Sequence, residues 1–206
     1  TEYFMTDYTD TFSAPNSDGL DSGFNDNLFG AFAEADVFFS NSFAMKLGVR
    51  AEHSSILNAT SVAPRLSLAY KSGEKGQFSL AYGDFYQNPV TEYLKFQPNL
   101  ETEKTAHYIF NYQYLDNGKT FRAEAYYKDY DGLVKFNTVM PQFNSEYTNG
   151  GDGYAAGLDV FWRDNKSIKN LDYWISYSYL DTQRNYRNFR ESATPNFAPK
   201  HSASIV

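Results

Sequence analysis

Residues 104–130 read KTAHYIFNYQYLDNGKTFRAEAYYKDY, and this stretch decides the fold. Up to Leu115 every second residue (Ala106, Tyr108, Phe110, Tyr112, Tyr114) is apolar or aromatic, while His107, Asn111 and Gln113 fall between them. After Asp116-Asn117-Gly118 the alternation restarts, with Phe121, Ala123, Ala125 and Tyr127 set against Arg122 and Glu124. A period of two sends successive side chains to opposite faces of a strand. Asn-Gly between two such runs marks a tight hairpin turn. The stretch therefore reads as a β-hairpin with one apolar face and one polar face.

Working outward, the same alternation predicts strands at 28–39, 43–54, 62–71, 76–86, 104–115, 119–130, 152–163 and 171–181, with a ninth beginning near His201. These runs exceed the ~5–6 residues of an average soluble strand and match the ~9–11 of a membrane-spanning one. Ser40-Asn41-Ser42, Ser72-Gly73-Glu74-Lys75, Asp116-Asn117-Gly118 and the segment 164–170 are turn-like and lie at one end of the sheet. Segments 87–103, 131–151 and 182–200 are long and polar and lie at the other end, and 54–61 is intermediate in length. Residues 1–27, with Asp7, Asp10, Asp18, Asp21 and Asp26, are expected to form another long loop on the extracellular side. Short turns at one end and long loops at the other are the form of an outer-membrane barrel.

Between its two aromatic ends the apolar face of these strands holds no charged residue, with Asp84 and Asp129 falling in phase just above it, whereas Glu34, Asp36, Lys46, Arg50, Arg65, Arg122, Glu124 and Asp159 share the opposite face. The apolar-face residue nearest each tight turn is always aromatic: Phe39, Phe43, Tyr70, Phe78, Tyr114, Phe121, Trp162 and Tyr173. A looser second row, Phe29, Tyr82, Tyr108, Tyr127, Tyr154 and Tyr179, marks the far end. A membrane–water interface selects rings at a fixed height, and a sandwich core gives no reason for them there. The expected fold is all-β: a single domain over 1–206 forming part of an antiparallel up-and-down transmembrane β-barrel. A soluble β-sandwich with the apolar face packed inward, acting as an aromatic-rich carbohydrate-binding module, is the alternative. A closed eight-stranded barrel is a structural variant of the first reading.

Composition removes other classes. The 206 residues include no Cys, which excludes a disulfide scaffold, a thiolate metal site and a thiol nucleophile. A formal charge of −7 without a Lys/Arg run argues against nucleic acid as a partner. No run approaches the ~18 apolar residues of a spanning helix, and hydropathy averaging cannot detect a barrel whose strands alternate.

Several stretches resemble the barrel of TonB-dependent outer-membrane receptors: Leu47-Gly48-Val49-Arg50-Ala51-Glu52, Pro64-Arg65-Leu66-Ser67-Leu68-Ala69-Tyr70, Phe85-Tyr86-Gln87-Asn88-Pro89, Tyr126-Tyr127-Lys128-Asp129-Tyr130, the segment from Gly153 to Val160, and Pro195-Asn196-Phe197-Ala198-Pro199-Lys200-His201. The resemblance spans most of 28–206. It implies a 22-stranded barrel in a Gram-negative outer membrane, an N-terminal plug, and import of a scarce nutrient driven by the inner-membrane TonB complex acting through that plug. The nutrient would be a siderophore-iron complex, a corrinoid, a glycan or a peptide. No segment resembles a plug or a TonB box, so the chain is expected to be a segment of a larger transporter, from its C-terminal half.

In such a transporter the long loops meet the ligand. Arg184, Arg187 and Arg190 recur at a spacing of three beside Tyr186 and Phe189, and guanidinium groups pair bidentately with carboxylate or phosphate and stack on rings. Tyr86, Tyr93 and Phe96 are positioned to stack on a ring-bearing ligand. The ordinary alternatives are a solvated loop balancing nearby aspartates and simple loop packing. The polar-face charges either line a pathway or pair across neighbouring strands. His53, His107 and His201 show no metal-ligand spacing and no catalytic grouping is evident, so neither enzyme activity, a metal nor another cofactor is expected.

Overall fold

A computed structural model describes residues 2–12 and 20–206, with side chains described for 2–7 and 25–206. Ten strands form one antiparallel sheet in strict chain order: β1 (Glu2–Phe12), β2 (Leu20–Phe38), β3 (Phe43–Ser54), β4 (Ala59–Ser72), β5 (Gly76–Gln87), β6 (Glu103–Asp116), β7 (Lys119–Phe136), β8 (Tyr147–Asp164), β9 (Tyr173–Asn185) and β10 (His201–Ile205). All ten belong to a single sheet, so the two-layer sandwich does not form.

Two expectations need correction. Residues 1–27 are not simply a loop: β1 pairs with β2 from Glu2↔Gly30 through Phe12↔Leu20, while 13–19 lie outside the described residues. The long connections 131–151 and 182–200 are partly strand as well, because β7 runs on to Phe136, β8 begins at Tyr147 and β9 ends at Asn185. The physical reason is common to both. Above the second aromatic row both faces meet polar surroundings, so the hydrophobic alternation fades while the backbone ladder still satisfies its N–H and C=O groups. Ser54 and Ala59 bound a short turn closed at Asn58 (φ 45°), and β9 begins at Tyr173, leaving Leu171 and Asp172 in the preceding turn.

The register brings the apolar-face rings into rows. At the tight-turn end Phe43 lies opposite Tyr70, Tyr70 opposite Phe78, Tyr114 opposite Phe121 and Phe121 opposite Trp162. At the other end Tyr82, Tyr108, Tyr127 and Tyr154 form a continuous series, with ring centroids 5.2, 6.4 and 6.2 Å apart. Such cross-strand rings contribute about 0.5–1.5 kcal/mol each beyond their buried area. Between the rows the apolar side chains remain open to the surroundings, with Leu80 53% and Phe110 44% exposed. A contiguous exposed apolar band of this kind marks a surface that meets lipid or another protein.

Most of the buried apolar side chains lie outside the band, among the long loops. Leu94, from the four-residue helix α1 (Thr91–Leu94), packs with Leu100 and Val134, and Ile56, Leu57, Tyr93 and Tyr147 close around them. Asn149 ties the block together: its Oδ1 accepts the Glu101 N–H (2.8 Å), and its Nδ2 donates to the carbonyls of Glu101 (3.0 Å) and Gly132 (2.9 Å). The loops thus form a small folded unit seated on one end of the sheet.

Candidate functional site

The ladder gathers chemistry on the polar face that no single strand contains. One row, read across partners, is Glu34, Gly48, Arg65, Gly83, His107, Lys128, Ala155 and Thr182. Two residues higher, Phe85, Thr105, Tyr130, Gly153 and Arg184 follow one another. Small residues sit beside the large ones, so rings and cations lie down over their neighbours. The Arg65 guanidinium lies 4.8 Å from the Phe85 ring centre, the Phe85 and His107 rings are 4.4 Å apart, and Lys128 Nζ lies 5.3 Å from the Tyr126 ring. Arg184 lies 4.4 Å above Tyr130 and 5.9 Å from Phe197. Arg65 and Arg184 each bury Nε without a hydrogen-bond partner, and among the described residues no carboxylate lies within 4.0 Å of Arg65, Lys128 or Arg184.

Toward β1 at the height of the upper row, and lower on the sheet elsewhere, the charges behave differently. Arg50 is held between Glu2 (2.8 Å) and Glu52 (2.6 Å), and Lys46 pairs with Asp36 (3.4 Å) and Glu34 (4.0 Å). Arg122 donates to Gln113 and Asn111 donates to Glu124. The Lys46–Asp36, Arg122–Gln113 and Asn111–Glu124 contacts join residues directly opposite on adjacent strands and fix register, while Arg50 pairs along its own strand and across β2 to β1. The unpaired cations of the upper belt are the ones left with binding capacity.

A cavity of about 290 Å³ opens at the top of this belt, lined by Phe85, Glu103, His107, Tyr130, Leu133 and Arg184 among others. Its roof depends on a bulge in β7. Gly132 adopts φ 70°, the register shifts between Asp131 and Leu133, and Val134 drops out of the ladder. The freed Val134 N–H donates to Glu103 Oε1 at 3.0 Å. Burial pushes the Glu103 carboxyl up from its ordinary value, against the downward pulls of that N–H and of Arg184.

The loop residues singled out in the sequence fall into separate places, Arg184 with Tyr86 at the cavity and Arg187 beside Tyr93. Arg184 enters the cavity, whereas Arg187 and Arg190 are exposed on the loop. Arg187 lies 5.2 Å from the Tyr186 ring, which stacks on Phe189 at 5.6 Å. Tyr86 belongs to β5 rather than to a loop; it borders the same cavity as Arg184, while Lys104 Nζ lies 5.8 Å from its ring. Tyr93 is committed to loop packing, 5.6 Å from Phe136 and 6.3 Å from Tyr147, and burial raises its hydroxyl pKa. Phe96 is half-buried beneath Lys95. Phe85, Lys128 and Tyr130 escaped the sequence reading. The signal available was the intrusion of rings into the polar face at Phe85, Tyr126 and Tyr130. Among the described residues, no group of three or more His, Asp or Glu is placed to hold a metal.

The family described as "TonB dependent receptor-like, beta-barrel" matches residues 1–206, and the chain belongs to it. Among solved structures, a ferric enterobactin receptor mutant from Pseudomonas aeruginosa superposes with a TM-score of 0.69 at 15% identity, over 82% of this chain and 29% of that one. The FrpB iron transporter from Neisseria meningitidis gives 0.69 at 14% identity, over 89% and 31%. The outer membrane transporter YddB from Escherichia coli gives 0.67 at 11% identity, over 80% and 25%. No curated protein sequence matches. The chain thus spans roughly a quarter to a third of the length of the structures it resembles. A ten-stranded open sheet is consistent with a portion of such a barrel wall, with the polar face turned to the lumen.

Proposed function

We propose that this chain is a ten-stranded part of the wall of an outer-membrane transporter, and that its upper lumenal belt binds an anionic, ring-bearing iron chelate. The two aromatic rows sit at the membrane–water boundaries and the apolar band between them meets lipid. Import is driven by the TonB complex through a plug domain filling the barrel, so the wall supplies recognition and no catalysis.

The observation that carries this reading is the belt itself: Arg65, Lys128 and Arg184, interleaved with Phe85, Tyr126 and Tyr130, without a carboxylate partner among the described residues. Guanidinium forks donate bidentately to carboxylate or catecholate oxygens, and ring faces take the flat part of a chelating group. The solved iron and siderophore receptors of like fold support iron chelates over corrinoids or glycans.

The test is the full-length receptor with Arg65, Lys128 and Arg184 together changed to Gln, titrated with a ferric tris-catecholate by quenching of intrinsic fluorescence. Affinity should fall by more than about ten-fold, since each lost charge-assisted contact is worth more than a neutral one. Exchange of Arg187 and Arg190 for Gln should have a smaller effect. Unchanged affinity in the triple variant refutes the assignment of the belt.

A further inference from the structure

The belt is cationic along most of its length, but the cavity at its top breaks that pattern. Glu103 faces the cavity from β6, opposite the Arg184 side, with Phe85 and Tyr130 forming the walls between them. No ion pair joins the two: among the described residues Arg184 has no carboxylate within 4.0 Å, and the one hydrogen bond to Glu103 is from Val134 N–H to Oε1. We infer that this cavity recognises a ligand bearing both signs of charge, presenting an anionic edge to Arg184 and a protonated amine to Glu103.

The argument rests on the reading of the belt as a ligand site and narrows the class of ligand. A partly buried carboxylate without a close cation is costly, because desolvation is not offset by a nearby opposite charge. Arg184 offsets it only in part, since no ion pair or hydrogen bond joins the two, and its own buried Nε is also unpartnered. Each group is therefore left with capacity that the protein does not use. A purely anionic ligand would satisfy Arg184 and be repelled by Glu103. A neutral one would leave both charges desolvated. An ammonium group on the same molecule removes both penalties at once, and the low local dielectric makes the pairing stronger than it would be in water. Glu103 also supports the β7 bulge through Val134, and a purely structural role would be served equally by Gln, which keeps the accepting oxygen.

That difference defines the experiment. Two ferric tris-catecholates, identical except that one carries a pendant primary amine and the other its acetylated form, are titrated against the full-length receptor and its Glu103→Gln variant. For the native receptor the amine form should bind about ten-fold more tightly, as expected for gaining one charge-assisted hydrogen bond. In Glu103→Gln the ratio should fall to near one while the affinity for the acetylated form holds or improves. An equal affinity of the two probes for the native receptor, or a preference that persists in Glu103→Gln, overturns the inference and leaves the belt intact. Failure of both probes to bind the native receptor overturns the belt reading together with it.

Discussion

Tyr126 and Gly157 face each other across β7 and β8 on the lumenal side, and the ring lies flat over the glycine. A Cβ added at residue 157 would stand 2.7 Å from Tyr126 Cε1 and closer still to Cζ and Oη, inside the van der Waals envelope of the ring. Gly157→Ala therefore forces the ring off its seat and away from Lys128, which lies 5.3 Å from its centre. Overpacking of this kind costs about 1–3 kcal/mol. Replacing a strand glycine by alanine returns about 0.5–1 kcal/mol through backbone entropy. The expected net destabilisation is about 0–2.5 kcal/mol, the difference between those two effects. It is measured by urea unfolding of the full-length receptor in lipid vesicles, in the native and Tyr126→Ala backgrounds. Without the ring, Gly157→Ala should be neutral or stabilising, giving a coupling of at least about 1 kcal/mol. An equal cost in both backgrounds would show that the strain lies in the backbone and would refute the ring-over-glycine account.

Three other predictions follow from the loops and turns. Asn149→Ala removes three hydrogen bonds joining the loop block and should weaken it by about 1–3 kcal/mol; limited proteolysis should cut faster within 131–151 while the barrel unfolding midpoint stays constant. Asp164 is held down to about 2 by Ser167, then by the Lys166 N–H, with Lys119 adding a weaker pull. Its folded-state pKa is below its ordinary 3.8, so its stabilising contribution is complete above about pH 4 and lost as the pH falls toward 2. Asp164→Asn should flatten that part of the acid-unfolding profile, and an unchanged profile would contradict the turn geometry. Gly118→Ala should destabilise the β6–β7 hairpin by at least about 1 kcal/mol, because φ is 87° there and a Cβ would strike Asn165 and Lys166 of the neighbouring turn; a native-like urea midpoint would contradict it.

The sequence by itself determined what is local. Strand period, the Asn117-Gly118 turn, the apolar and polar faces and the ring closest to each tight turn are legible because each depends on residues a few positions apart. Where the apolar face leaves its band that signal stops. Hence β1 and the upper parts of β2, β7, β8 and β9 were invisible, although their ladders are intact. The candidate site lay beyond local reading for a different reason. Arg65, His107, Lys128 and Arg184 come from four strands, and only the register of each pair decides that they share two adjacent rows. A shift of one residue in any ladder would send one of them to the lipid face. The bulge at Gly132 likewise has no strong sequence signature, yet it frees the Val134 N–H and draws Glu103 into the cavity. The chain encodes the wall strand by strand; the lumenal site exists only once hydrogen-bonded pairing has fixed which residues stand side by side.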